Sequence, residues 1–250
     1  MPILSFTFDD GNASQVRDLY PLLRDHALPA TFYVIASEIG LPGRLTESDL
    51  RSLSEEGNEI GSHGYTHRSL VTLKPDQLKD ELEKSKRALS RYGVRTLSYP
   101  FGRFDSRVVI EVARYYDSAR TYSIEMLSNR KTPLNRYSLH SFPVEGRFQT
   151  RIQPQSHDFI FSGKNLRSEA WFIITLHGQV SVNPWRVAYT LMRSPTKEQL
   201  QSYFGYAGAR LFSRHQGYFL QNFQKLCCFL AANDDTITVS TVSQTLDQFS

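Results

Sequence analysis

Short apolar runs that end in polar or glycine-rich residues, separated by longer amphipathic stretches, recur along this chain, and that rhythm constrains the fold more than any other feature. Ile3–Phe8, Thr31–Ile35, Glu59–Ser62, Thr96–Tyr99, Ser118–Thr121, Phe172–Leu176 and Thr236–Ser240 read as strands. Between them, Ser14–His26, Glu47–Glu56, Pro75–Tyr92, Ser106–Tyr116, Thr196–Tyr203 and Arg214–Ala232 read as helices. Pro75–Arg91 places Leu78, Leu82 and Leu89 on one face with charge between them, as a helix lying on a core does. Thr46-Glu47-Ser48-Asp49 puts an acidic residue three places after a hydroxyl, and Ser194-Pro195-Thr196 puts hydroxyls beside a second helix start. Parallel strands need long crossovers, so strands repeatedly followed by helices argue for a parallel sheet closed or nearly closed by helices. An α/β barrel of about 250 residues forms a single unit, and the expectation is one domain over residues 1–250. Glu125–Asn165, rich in Arg, Ser, Asn, Gln and Pro, is expected to hold long loops or a short β excursion.

Charge and cysteine usage exclude several functions. Lys and Arg number 29 against 25 Asp and Glu, and they are scattered. Lys84, Lys86 and Arg87 sit beside Glu81 and Glu83, and Arg130-Lys131 has no close basic neighbour before Arg136. Without a basic stripe there is no nucleic-acid footprint. Cys227 and Cys228 are adjacent, which disfavours an ordinary disulfide, and two cysteines cannot build a four-thiolate zinc cage. They read as small buried apolar residues in Leu226–Leu230. No apolar stretch approaches the roughly 18 residues of a membrane span, and Met1–Phe6 lacks the pattern of a signal peptide. The sequence leads to the expectation of a cytoplasmic chain with no transmembrane segment; it leaves the oligomeric state open.

Four motifs stand at predicted strand ends. In Thr7-Phe8-Asp9-Asp10-Gly11 an apolar strand stops in two adjacent carboxylates, which repel each other unless a cation or proton chemistry uses them, although Asp-Asp-Gly is also good turn chemistry. In Ser62-His63-Gly64-Tyr65-Thr66-His67 two imidazoles four residues apart can converge on one ion. One carboxylate and two imidazoles leave positions for water, the composition of an open catalytic metal site. Leu176-His177-Gly178 follows the most apolar strand, and Tyr99-Pro100-Phe101-Gly102 forms a tight aromatic loop after another. Catalytic groups of α/β barrels collect at that end of the strands.

In order and spacing these motifs resemble those of the polysaccharide deacetylases, the NodB-homology or carbohydrate esterase family 4 domain, and Pro29-Ala30-Thr31-Phe32-Tyr33-Val34 resembles that family's second strand. The resemblance runs from about Ile3 to Gly178. It implies a distorted (β/α)7 TIM-like barrel that hydrolyses acetyl groups from N-acetylated sugars. By position, Asp10, His63 and His67 would hold a divalent metal, zinc first, with cobalt, nickel or iron compatible with the same donors. Asp9 would be the general base and His177 the general acid, giving a bell-shaped pH profile, while Tyr99, Pro100, Phe101 and Gly102 would contact substrate. The Phe101 backbone N–H would help stabilise the oxyanion. The implied partner is an acetylated sugar or glycan. O-acetyl ester hydrolysis, opening of an amide or imide ring, and an inactive carbohydrate-binding barrel are the alternatives.

The chain departs from the family where many members carry an Arg two residues before the third motif's Pro; here Ser98 stands there. Arg103, Arg120 and Arg136 are candidates to replace it. The family's fourth motif, an Asp-Trp pair, is missing, so Asp105 and Asp117 are candidates to orient His177. His140 is a candidate for the cleft wall; His26, His157 and His215 read as structural or solvent-facing.

Overall fold

The structure is a computed structural model, and it describes residues 1–122, 129–130, 134–143, 170–177, 223–224, 226–228, 230–232, 234–235 and 237–249. The strands are β1 (Ile3–Phe8), β2 (Ala30–Val34), β3 (Glu59–Ser62), β4 (Thr96–Ser98), β5 (Ser118–Tyr122), β6 (Asn129–Arg130), β7 (Leu139–Pro143), β8 (Ala170–Leu176) and β9 (Thr238–Val239). Seven of them run parallel in the order β1-β2-β3-β4-β5-β7-β8. β8 then pairs with β1 from Ile3↔Trp171 to Phe8↔Leu176, which closes a distorted (β/α)7 barrel. β6 lies antiparallel on the start of β8, and β9 runs parallel beside the start of β1.

Strand alternation sorts the side chains. Leu4, Phe6 and Phe8 join the main apolar cluster with Leu19, Leu23 and Leu50. On the opposite parity Ile3, Leu139, Trp171 and Ile173 meet Val242 and Leu246, which plug one end of the barrel. Between plug and rim the interior is polar: Trp171 Nε1 donates to Ser5 Oγ at 3.0 Å, and Thr175 Oγ1 donates to Ser141 Oγ at 2.6 Å.

Helices among the described residues include α1 (Tyr20–Arg24), α2 (Glu47–Glu55), α3 (Pro75–Ala88), α4 (Ser106–Val112) and α5 (Val242–Asp247). α2 begins with the Thr46–Asp49 capping box that its sequence predicts. The helix expected over Ser14–His26 forms and runs to Arg24, but its middle, Gln15–Leu19, widens into a π-helix before α1. Pro21 has no N–H with which to continue the α-helical ladder, and Tyr20 N–H reaches back to Gln15 O. α5 is seated by Val242 N–H on Thr31 Oγ1 at 3.0 Å, by Ser243 N–H on Glu59 at 2.9 Å, and by Arg95 on Asp247.

Other boundaries shift for local reasons. The strand expected at Thr236–Ser240 is only Thr238–Val239, because the chain turns at once into the Thr241 cap of α5. β7 lies in the stretch read as irregular, where polar His140 and Ser141 hide its alternation. Cys227 is buried, and burial pushes its thiol up to about 12. Cys228, expected buried, is exposed with Sγ 3.5 Å from His26 Nε2. The helix read at Thr196–Tyr203, the Ser194 cap, most of Arg214–Ala232, His157, His215 and Gly178 fall outside the described residues. No helix among the described residues is long and apolar enough to cross a membrane.

Gly61 of β3 shows how tightly the interior is filled. A Cβ there would stand 2.5 Å from Tyr33 Cδ1 and 3.1 Å from Thr96 Oγ1, and Tyr33 is fully buried with no room to yield. Gly61→Ala should therefore cost about 1–3 kcal/mol by overpacking, measured as a lowered midpoint in denaturant unfolding.

Candidate active site

The barrel rim gathers the four motifs. Asp9 N–H extends the closing ladder by donating to Leu176 O at 2.8 Å, which brings the β1 and β8 ends together. Gln15 Nε2 then bridges the Asp9 and His177 carbonyls, and Asn12 Nδ2 donates to His177 O at 2.7 Å. Arg44 donates to Asp10 O at 3.1 Å and to Asn12 Oδ1 at 2.6 Å while pairing with Glu38. Gln15 and Asn12 thus carry the turn after β1 and the His177 backbone as one piece.

The backbone at the rim is strained. Asp10 (φ 72), His67 (φ 57) and Phe101 (φ 61) occupy the left-handed region that residues with a Cβ avoid. Among the described residues only Ala27 joins them, and such strain persists where the surroundings over-determine it.

Asp10 Oδ1 lies 3.5 Å from His63 Nε2 and 3.6 Å from His67 Nε2. The three ligand-type atoms fall within 4.8 Å of one another. Ligands about 2.0–2.2 Å from one tetrahedral ion stand about 3.3–3.6 Å apart, so the set fits a single zinc-sized cation. His63 Nδ1 is 2.8 Å from Ser98 O, a partner that can only accept, so Nδ1 carries the proton and Nε2 keeps its lone pair. Burial lowers the His63 pKa against the opposing pull of Asp9 and Asp10, with His67 adding to the lowering, and this keeps the ring neutral.

Asp9 is buried beside this cluster, and its Oδ2 is 3.9 Å from His63 Nε2. Arg120 of β5 donates Nη2 to Asp9 Oδ1, and Ser98 Oγ donates to Oδ2 at 3.2 Å. Arg120 is 1% exposed, lies 4.7 Å from the Tyr33 ring centre and donates Nη1 to Ser141 Oγ at 3.0 Å. Burial alone would raise the Asp9 pKa, but Arg120, His63 and His177, with the Ser98 hydroxyl, together hold it below the ordinary carboxylate range.

Of the three arginine candidates the structure therefore selects Arg120. Arg103 is exposed, and Arg136 donates to Phe249 O. Both acidic candidates for His177 are engaged elsewhere: Asp105 caps α4 through Val108 N–H, and Asp117 pairs with Arg95. A cleft of about 240 Å³ is lined by Asp9, Asp10, His63, His67 and His177, with Tyr99, Phe101 and Gly102 from the aromatic loop. Pro100 is buried outside that lining, and His140 is not part of it among the described residues. Phe101 is 53% exposed with its ring 4.6 Å from that of His67. Tyr122, at the end of β5, forms the other aromatic wall; it escaped the sequence reading because no motif surrounds it.

A parallel α/β barrel that collects carboxylate, imidazole and buried ion pair at the carboxyl ends of its strands has the architecture of an enzyme. Residues 2–118 match the profile described as Polysaccharide deacetylase, and with the motifs above this segment belongs to that family. The chain is 28% identical over 113 residues to the peptidoglycan-N-acetylglucosamine deacetylase PgdA of Listeria monocytogenes, covering 44% of this chain and 23% of that protein. It is 34% identical over 84 residues to a chitooligosaccharide deacetylase of Bradyrhizobium sp. (strain ANU 289), covering 33% and 36%. The chain thus spans about a third or less of the length of these relatives. The fold matches the Xyl-CE4 domain of a multidomain xylanase from the hindgut metagenome of Trinervitermes trinervoides, with a TM-score of 0.58 at 17% identity over 98% of this chain and 90% of that one.

Because Asp9 ionises more readily folded than unfolded, its contribution to stability is complete above the unfolded value of about 3.9 and lost as pH falls through the lower folded value. In Arg120→Met burial is no longer opposed by the guanidinium, and the Asp9 pKa should rise. Carboxyl 13C shifts followed through a pH titration measure it; an unmoved Asp9 would show that Arg120 does not hold the charge.

Proposed function

We propose that the chain is a metal-dependent hydrolase that removes acetyl groups from N-acetylated sugars. The observation that carries this reading is the convergence of Asp10, His63 and His67 beside the buried Asp9–Arg120 pair, with His177 lining the same cleft. Asp10, His63 and His67 would hold the cation, which when bound polarises the acetyl carbonyl and acidifies water. Asp9, ionised by Arg120 and kept in place by Ser98, accepts a proton from the attacking water. His177, fixed through its carbonyl by Asn12 and Gln15, donates a proton to the departing sugar amine, which is a poor leaving group until protonated. Phe101 and Tyr122 border the opening and offer apolar faces to a sugar ring. The proposed substrate is a glycan or glycoconjugate, in keeping with the peptidoglycan-N-acetylglucosamine and chitooligosaccharide deacetylases that the chain resembles.

Acetate release from N-acetylglucosamine oligomers by the zinc-loaded protein tests the reading. Asp10→Ala should abolish it together with zinc binding, and equal activity without metal would sink the proposal. His177→Ala should slow the amide reaction about 100–10,000-fold and an activated acetyl ester much less, because the ester's leaving group does not require protonation. An equal loss on both would remove His177 from the acid role.

A further inference from the structure

We infer that Glu81, on the buried face of α3, is a positioning residue that holds the segment from His63 to His67 in the conformation in which both imidazoles meet Asp10. The inference rests on the metal-site reading above. The face that α3 turns inward carries Leu78, Glu81, Leu82 and Ser85. A carboxylate 5% exposed, with no ion pair among the described residues, is costly unless its oxygens are hydrogen-bonded. Both are taken up by one residue of the motif: Thr66 N–H donates to Oε1 at 2.6 Å and Thr66 Oγ1 to Oε2 at 2.8 Å.

One turn further along α3, Ser85 Oγ lies 2.7 Å from Ser62 Oγ, which accepts Gly64 N–H at 3.1 Å. α3 therefore grips the segment at two points. The residues after β2 grip it from elsewhere, through Ala36 N–H on Gly64 O at 3.1 Å and Ser37 N–H on Tyr65 O at 2.9 Å. Gly64 (φ 79) approaches Glu81 so closely that a Cβ would stand 3.3 Å from Oε1. Thr66 is the last anchored residue before His67, whose left-handed backbone persists only while its neighbours enforce it. The clamp thus acts where the strain is stored, one residue from a ligand. A brace serving folding alone would alter the stability of the metal-free protein and leave the affinity of the folded site unchanged.

The test is zinc affinity by competition with a chromophoric chelator, alongside the melting temperature of the metal-free protein. Glu81→Ala should weaken zinc binding about 10–100-fold, while Glu81→Gln, whose amide oxygen still accepts Thr66 N–H and whose amide nitrogen can donate to Thr66 Oγ1, should stay within about threefold of the parent. A Glu81→Ala protein that melts lower yet binds zinc as tightly as the parent overturns the inference. If Glu81→Ala does not fold, Thr66→Ala removes the hydroxyl half of the clamp at an exposed position; a several-fold loss supports the role, and unchanged affinity overturns it. A parent protein that binds no zinc overturns the metal reading itself and this role with it, an outcome distinct from a parent that binds and variants that bind equally.

Discussion

The Asp9–Arg120 ion pair organises the barrel. Both groups are removed from water, so each depends on the other, and deleting one partner of such a pair typically costs about 3–5 kcal/mol through the stranded charge. The pair also dictates what surrounds it. Arg120 needs the Tyr33 ring face and the Ser141 hydroxyl; Ser141 accepts from Thr175, whose hydroxyl meets that of Thr7. The inward positions beneath the rim therefore carry hydroxyls where a fully packed barrel would carry branched aliphatic residues. Among the described residues, apolar side chains gather in the plug of Ile3, Leu139, Trp171 and Ile173 under α5.

The same pair divides the labour of the two adjacent carboxylates. Asp9 continues β1 and points to Arg120 and Ser98; Asp10, with its left-handed backbone, turns toward His63 and His67. Side chains that would repel each other are thereby aimed at different cations, one supplied by the protein and one proposed to be bound. Ser98 couples the two halves, since its hydroxyl serves Asp9 and its carbonyl fixes the His63 ring. The position that lacks the family's arginine still contributes, and the guanidinium arrives from the neighbouring strand.

Much of this is legible in the amino-acid sequence. β1 and β3 fall where alternation and flanking motifs place them, since apolar runs bounded by glycine and charge leave little choice of register. The Asp9-Asp10 and His63–His67 motifs announce themselves because several polar residues at a strand end have no packing purpose. Tyr122, Asn12, Gln15 and Glu81 carry no such mark. Each is an ordinary residue on a strand, turn or helix, and its role comes from what the fold sets against it.

The sequence by itself determined the strand–helix rhythm, the parallel barrel that follows from it, and which side chains stand at the strand ends, because period and local chemistry are properties of neighbours along the chain. Only the tertiary structure decided that Arg120 rather than Arg103 or Arg136 meets Asp9, that Asp105 caps α4 and Asp117 pairs with Arg95, and that α3 holds the histidine segment through Thr66. Those contacts join residues far apart in sequence, Arg120 and Asp9 by 111 positions. They are fixed by strand order, barrel closure and the inward or outward parity of each strand, which no local pattern encodes.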